Sequence, residues 1–205
     1  MIVTGITELS RTRSKVELEH QFAFVLYKGE LRQYHLREGE EIKEADYKAI
    51  MEEVLPRRAK LRCMNLLQSR EYTTSQLRDK LRQGLYPESI IEEALAYVAS
   101  FHYTDDLRYA TDYITDHEAT RSRRRIEQDL YRKGISQDTI EQAFMKWQSQ
   151  GGEQDEISMI QALLAKKNYD PDTADYKEKQ RLYAFCIRKG YSSEQIFKAM
   201  SFQSD

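Results

Sequence analysis

The sequence predicts a mainly α-helical protein made of three tandem three-helix repeats, with a small β element at its N-terminal end. The first observation is the pattern Ile-x-x-Ala-apolar, which occurs three times and begins at Ile91, Ile140 and Ile196. The second is the lead-in before the last two copies, Arg-Lys-Gly-Ile-Ser at 132–136 and Arg-Lys-Gly-Tyr-Ser at 188–192. A repeat spacing of roughly 50 residues is typical of stacked units that bury their apolar faces together. Such stacks usually build binding surfaces.

The composition favours a folded, helical chain. Of its 205 residues 32% are charged and 40% are hydrophobic, and it contains three prolines and eight glycines. Disordered chains carry fewer apolar groups. The net charge is only −2, from 32 basic and 34 acidic side chains, so any attraction to phosphate must come from local clusters.

The N-terminal part of the chain predicts β structure. Residues 16–19 alternate apolar and polar side chains, and residues 22–27 form a β-favouring apolar run. We expect a hairpin between them, with residues 20 and 21 at its tip and a further turn at 28–30. Residues 2–6 offer one more short strand. An isolated hairpin is marginal in water, so it must pack on something, in cis or in trans.

A helix is predicted after the hairpin, beginning near Glu44, with Tyr47 and Ile50 on its apolar stripe. Pro56 marks the boundary of this segment, since the residue before a proline disfavours helix. The predicted organisation is a β-hairpin-plus-helix extension at 1–56 and three-helix repeats at 57–101, 102–150 and 151–205.

Capping residues and glycines delimit the helices of the first repeat. Residues 73–75 supply N-cap candidates for its second helix, and Gly84 is placed to end that helix. Pro87 suits the first turn of the third helix. Gly84 stands one place further from its Ile than the corresponding glycines of the other repeats.

The other two repeats follow the same plan. In the second, residues 103–106 open the first helix, Gly134 stops a helix running from about 122 to 133, and Ser136 caps the last. In the third, the first helix follows Gly151-Gly152. A turn is predicted at 168–171, the second helix holds Tyr183, Cys186 and Ile187, and the third begins after Ser192-Ser193.

Two local sequences in the second repeat resemble the RecX family. Residues 103–110, Tyr-Thr-Asp-Asp-Leu-Arg-Tyr-Ala, are similar to the family's apolar-Asp-Asp-x-Arg-aromatic-Ala segment. Residues 124–135 resemble its Arg-x-Ile-x-x-x-Leu-x-x-Lys-Gly-Ile segment. The resemblance covers about residues 57–202, and it marks as family motif positions Asp105, Asp106, Arg108, Tyr109, Gly134 and Gly190.

The resemblance implies an elongated, curved array and a modulator without chemistry of its own. RecX-like proteins bind filaments of the bacterial recombinase RecA on DNA, along the helical groove, and suppress strand exchange and the coupled ATPase and coprotease activities. Some also contact single-stranded DNA directly. The implied context is recombination, DNA repair and the SOS response. For the motif residues we expect structural roles. Asp105 and Asp106 should cap a helix, and Arg108 should form an ion pair with Asp112, four residues later.

The sharpest functional feature is the run Arg-Ser-Arg-Arg-Arg at 121–125. Arginines can bind phosphate or partner carboxylates through two donors. So many cations at a helix start oppose the helix dipole, and we expect one of them to be held in an internal ion pair. Two further basic pairs near helix C-termini could extend the surface. The residues predicted to bind RecA or DNA are Arg121, Arg123, Arg124, Arg125, Arg132, Lys133, Arg188 and Lys189.

The sequence predicts neither an enzyme nor a metal or cofactor site. Its four histidines lack metal spacing, and no phosphate loop or nucleophile motif is present. Cys63 and Cys186 fall in helical patterns and predict buried, reduced thiols. No membrane span or signal peptide is predicted, so we expect a soluble, cytoplasmic protein, and we expect it to be a monomer. Two alternatives stay open: a helical-repeat protein that binds single-stranded nucleic acid, and a generic protein-interaction scaffold.

Overall fold

The computed structural model describes residues 1–201 and confirms the mainly helical class, with three three-helix repeats and a small N-terminal sheet. The chain divides into two compact units, Met1–Asp105 and a second that begins at Asp106. Among the described residues no helix combines the length and apolarity that a membrane crossing requires.

The first unit opens with an antiparallel sheet of strand order β1-β2-β3. The strands are β1 (Val3–Glu8), β2 (Arg13–Leu18) and β3 (Gln21–Tyr27). The predicted hairpin and the additional strand are therefore confirmed. The hairpin tip lies one residue earlier than expected, because Glu19 and His20 adopt the positive φ angles, +48° and +62°, that a tight turn of this hand requires.

The turn predicted at 28–30 is wrong, because these residues begin helix α1 (Lys28–Gln33). The carboxylate of Glu30 accepts a hydrogen bond from the Tyr27 backbone N–H at 2.7 Å and also pairs with Arg58. These contacts satisfy a free donor at the start of the helix and so stabilise a first helical turn where the sequence alone indicated a bend.

The helix boundary predicted at Pro56 is also wrong. Helix α2 (Glu44–Ala49) continues through a π-helical turn (Ile50–Val54) directly into α3 (Leu55–Leu67). A proline inside a helix lacks a donor and its ring collides with the carbonyl four residues earlier. The wider π turn just before Pro56 relieves that collision, so the helix continues. The domain boundary placed at 56 stays a prediction.

The sheet and the first repeat share one hydrophobic core. Val16, Phe24 and Leu26 from the sheet lie in the same buried cluster as Leu55 and Cys63 of α3. The rest of the repeat is α4 (Thr74–Gln83) and α5 (Glu88–Ser100), which bury two and five apolar side chains, respectively, in that core. The predicted hairpin therefore packs in cis.

The junction of α4 and α5 explains the displaced glycine of the first repeat. Gly84 is the C-cap of α4 with a helical φ of −78°, and the left-handed residue is the next one, Leu85, at φ +59°. A Cβ on Gly84 would come within 2.9 Å of the Tyr86 ring, so this glycine provides space for a side chain. Thr73 caps α4 as expected, whereas Pro87 is the N-cap of α5 and not a first-turn residue.

The second unit contains the second and third repeats. The second repeat is α6 (Asp106–His117), α7 (Arg123–Arg132) and α8 (Gln137–Ser149), and the third is α9 (Glu156–Ala165), α10 (Tyr176–Arg188) and α11 (Ser193–Met200). Each repeat has a buried cluster of its own. Ser136 caps α8 as predicted, and Ser192 caps α11. Gly134 and Gly190 follow α7 and α10 with φ of +80° and +95°.

Candidate partner-binding surface

The arginine run lies where the second repeat meets the third. Ser122, which is fully buried, is the N-cap of α7, and its hydroxyl accepts a hydrogen bond from the Arg125 backbone N–H at 3.3 Å. The same hydroxyl donates to the backbone carbonyl of Lys189 at 2.8 Å. One side chain thus starts the arginine-bearing helix and fixes it to the turn between α10 and α11.

Gly190 allows this close approach. Its φ of +95° lies in the region that favours glycine, and a Cβ added to it would stand 2.5 Å from the Ser122 hydroxyl oxygen. The glycine of the repeated Arg-Lys-Gly lead-in therefore has two roles here. It ends α10, and it leaves room for the helix cap of the preceding repeat.

The segment between the two repeats adds further contacts to the same junction. The Gln154 side chain donates to the carbonyls of Glu118 and Arg121 at 2.7 and 2.6 Å. The carboxylate of Glu156 accepts from the backbone N–H of Arg123 at 2.6 Å. A carboxylate at the first turn of α7 also complements the positive end of that helix.

A cleft of about 510 Å³ lies at this junction. It brings together basic residues that the sequence predicted separately, from the arginine run and from the end of α10. Phe185, Thr120 and Tyr191 complete much of its lining. The basic residues that line it are Arg121, Arg125, Arg188 and Lys189.

Three arginines share one carboxylate beside this cleft. Asp129 on α7 lies 2.6 Å from Arg121, 3.3 Å from Arg125 and 3.5 Å from Arg132. Arg121 also donates to the Tyr113 hydroxyl at 2.6 Å. The sequence led us to expect one internally paired arginine, and the structure shows several.

Arg123 is engaged internally as well. It forms an ion pair with Glu127 at 2.9 Å, and its guanidinium lies 4.3 Å from the centre of the Phe144 ring. With Asp129 and Glu156, these contacts offset the repulsion among cations at the start of α7.

Other cations keep their donors available. Arg124 and Arg188 are exposed, and neither forms a salt bridge within residues 1–201. Lys189 is exposed too, with its ammonium 5.6 Å from the Phe185 ring centre. A cation on an aromatic face keeps most of its hydrogen-bonding capacity. A partner could contact these three side chains without competing with an internal carboxylate.

Lys133 and the motif residues of α6 lie outside the lining of the cleft. The Lys133 ammonium is 5.6 and 5.2 Å from the ring centres of Tyr109 and Tyr113, and Tyr109 packs on the core of the second repeat. Asp105, Asp106 and Arg108 stand at the beginning of α6. Their position fits the structural role expected for them, while the Arg108–Asp112 pair stays a prediction.

A second cavity, of about 840 Å³, lies in the third repeat and differs in character. Tyr169, Tyr176, Tyr183 and Phe197 make most of its wall aromatic, and Lys179 is the one charged side chain in its lining. The predicted basic residues do not line it. We therefore place the candidate surface at the basic cleft.

The described part of the chain contains neither a metal-ligating cluster nor an activated cysteine. Within residues 1–201 no group of three or more His, Cys, Asp or Glu side chains could hold a metal ion. Cys63 and Cys186 are free and buried, which confirms the predicted thiols. Burial raises the pKa of Cys63 to about 11 and also raises the pKa of Cys186, so both are poor nucleophiles near neutral pH.

Sequence reasoning missed Asp129, Gln154 and Glu156. Asp129 was detectable, because it stands four residues after Arg125 and three before Arg132, spacings that place side chains together on a helix. Gln154 and Glu156 act on α7 from another repeat, more than 30 residues away along the chain. Local spacing gives no signal for contacts of that kind.

Comparison with known families gives three matches that together span most of the helical region. The first, second and third three-helix domains of RecX match residues 59–97, 105–143 and 153–200. These ranges follow the order of the repeats seen in the structure.

Curated relatives carry the same description. A protein of Vibrio parahaemolyticus called regulatory protein RecX is 32% identical over 143 residues, which cover 69% of this chain and 89% of that protein. One of Caldanaerobacter subterraneus subsp. tengcongensis with the same description is 26% identical and covers 98% of this chain and 99% of its own length. One of Clostridioides difficile is 25% identical over 98% of this chain and 94% of that protein.

Solved structures share the fold. A crystal structure of regulatory protein RecX superposes with a TM-score of 0.63 at 22% identity, over 97% of this chain and 98% of that one. That of RecX from Lactobacillus salivarius gives 0.57 at 20% identity, over 72% and 95%. Both similarities extend beyond a single repeat.

Proposed function

The chain belongs to the RecX family of regulatory proteins, and we propose that it binds RecA nucleoprotein filaments and inhibits their recombinase, ATPase and coprotease activities without catalysing a reaction itself. The proposal places it in the cytoplasm, as a monomer that acts in recombination, DNA repair and the SOS response. No cofactor is required.

The observation that carries the proposal is the convergence of basic side chains from two repeats on one cleft. Arg121 lines it from the segment before α7, Arg125 from α7 itself, and Arg188 and Lys189 from the end of α10. A surface built from two repeats is fixed by their packing, so little ordering cost is added when a partner binds. Arginine-rich surfaces of this kind recognise carboxylates and phosphates, both of which a nucleoprotein filament presents.

The internal ion pairs favour a protein as the main contact. Asp129 and Glu127 offset part of the charge of the arginine run, and the whole chain has a net charge of −2. A protein that binds chiefly through phosphates gains affinity from many unpaired cations. Here fixed guanidinium donors are combined with aromatic side chains such as Phe185, a mixture typical of protein interfaces.

The test is the ATPase rate of RecA on single-stranded DNA as this protein is titrated in. We expect inhibition well below one regulator per RecA, since a regulator that binds the filament acts on several neighbouring subunits. An unchanged rate and unchanged filament length at stoichiometric excess would contradict the proposal and leave a scaffold for another partner.

Direct binding to single-stranded DNA is the second candidate. Arg124, Arg188 and Lys189 lack salt bridges among the described residues, so they could contact phosphates. If DNA is the main ligand, the protein should bind oligonucleotides without RecA, and log affinity should fall steeply with log salt concentration. Weak, shallow salt dependence on bare DNA beside tight filament binding would exclude it.

A further inference from the structure

We infer that Asp129 is a positioning residue of this surface, which holds Arg121, Arg125 and Arg132 in one fixed anion-receiving array; this rests on the proposed function. Asp129 touches all three guanidiniums, at 2.6, 3.3 and 3.5 Å. Its side chain is 11% exposed, whereas those of the arginines are 37%, 41% and 63% exposed. The carboxylate therefore lies beneath the cations, and the arginines remain open to a partner.

The charge of the array follows from the same contacts. Three guanidiniums face one carboxylate, so the group keeps a surplus of positive charge. An arginine has five N–H donors, and a carboxylate oxygen occupies only one or two of them. Each arginine can thus bind Asp129 and still offer donors to an anion outside.

Position along the helix makes this arrangement possible. Arg125 and Arg132 stand four residues before and three after Asp129 on α7, so all three share one face. Arg121 precedes the helix and is held from a second side by the Tyr113 hydroxyl at 2.6 Å. The Asp129 contact therefore joins a residue outside the helix to two residues within it.

The energetic role is pre-organisation. A free arginine loses much rotamer freedom when it is immobilised at an interface, and each such loss weakens binding. Side chains already fixed by Asp129 have lost that freedom on folding. Removing the carboxylate should release the three arginines and weaken binding to an anionic partner, although the surface becomes more positive.

Pre-organisation thus predicts weaker binding after loss of the carboxylate, whereas simple charge attraction predicts tighter binding. The two effects can be separated by experiment. In Asp129→Asn and Glu127→Gln one carboxylate is lost from α7, so both variants gain one unit of positive charge. Glu127 pairs with Arg123 and not with the array. We expect Asp129→Asn to bind preformed RecA filaments about fivefold more weakly than wild type. Glu127→Gln should bind equally well or more tightly, and Asp129→Glu should recover part of the loss.

Equal or tighter filament binding by Asp129→Asn would overturn the inference, because plain electrostatic attraction predicts that result. Thermal unfolding shows whether each variant is folded. A second measurement is made on the free protein and does not depend on filament binding. NMR of the Nε–H groups of Arg121 and Arg125 reports how ordered these side chains are. They should be ordered in wild type and Glu127→Gln and averaged by motion in Asp129→Asn. Unchanged order in Asp129→Asn would also overturn the inference.

Failure of the proposed function is distinguishable from failure of the inference. If the wild type does not bind RecA filaments, the proposed function is wrong. The NMR comparison then decides the positioning role by itself. Loss of arginine order in Asp129→Asn supports that role toward another anionic partner.

Discussion

The hydroxyl of Ser122 donates a hydrogen bond to the backbone carbonyl of Lys189 at 2.8 Å, 67 residues further along the chain. The same oxygen accepts from the Arg125 N–H and so caps the arginine-bearing helix. This one buried group therefore joins the two repeats whose basic side chains line the cleft.

Ser122→Ala should destabilise the second unit by about 2 kcal/mol, since it removes a helix cap and leaves the Lys189 carbonyl without its donor. The matched control is Ser136→Ala. Ser136 caps α8 in the same way but is exposed, and its hydroxyl is hydrogen-bonded to Thr139 of its own helix. Ser136→Ala should lower the free energy of unfolding by about 1 kcal/mol, because it removes only the helix cap. Urea unfolding measures both, and equal losses would contradict a linking role for Ser122.

Gly190→Ala should be more damaging than Gly151→Ala. The two glycines have almost the same φ, +95° and +91°, so a side chain strains the backbone equally at both. A Cβ at Gly190 would meet the Ser122 oxygen at 2.5 Å, whereas nothing lies within 4 Å of one at Gly151. We expect about 1 kcal/mol of backbone strain at each position and a further loss of at least ~1 kcal/mol at Gly190. Similar unfolding free energies for the two variants would show that the close approach is unimportant.

The buried cysteines should report on the two units separately. Cys63 lies in the core of the first unit and Cys186 in that of the third repeat, so each thiol reacts only when its own surroundings open. In single-cysteine variants, Cys63→Ser and Cys186→Ser, we expect slow labelling by a thiol reagent at pH 8. Adding Gly190→Ala should accelerate labelling of Cys186 far more than of Cys63. Equal acceleration would mean that the units open together.

Stability at alkaline pH should depend on Tyr191. Burial raises its pKa from 10.0 to about 12, because the phenolate is disfavoured in the cleft wall. A folded-state pKa above the unfolded value gives a contribution that is fully present below pH 10 and is lost between pH 10 and about 12. Tyr191→Phe should therefore lose less stability than wild type across that interval. Tyr131→Phe, at an exposed position, should behave like wild type.

Local signals in the sequence predicted much of the fold. Ser136 and Gly134 act within one turn of their own helices, so spacing alone identified their roles. Pro56 could not be interpreted correctly, because the π turn that accommodates it leaves no distinct pattern in the sequence. The shifted Gly84 was visible, but its reason, the Tyr86 ring, required the structure.

The candidate site was less accessible to sequence reasoning. The sequence predicted the basic residues as a binding surface, yet nothing local indicated that Arg121 and Arg188 would line one cleft. Their proximity depends on the Ser122–Lys189 bond and on Gln154 and Glu156, all of which act between repeats. The pairing of Arg121, Arg123 and Arg125 also changes which side chains should be mutated.

The most direct test of the central claim is binding of Arg188→Ala/Lys189→Ala to preformed RecA filaments on single-stranded DNA. Both side chains line the cleft, are exposed and lack internal salt bridges in residues 1–201, so folding should be unaffected. The control, Arg37→Ala/Arg181→Ala, removes two exposed arginines elsewhere and changes the net charge equally. We expect at least a roughly tenfold loss of affinity for the first pair and little change for the control. Equal affinities for the two double variants would contradict the claim that this cleft binds the filament.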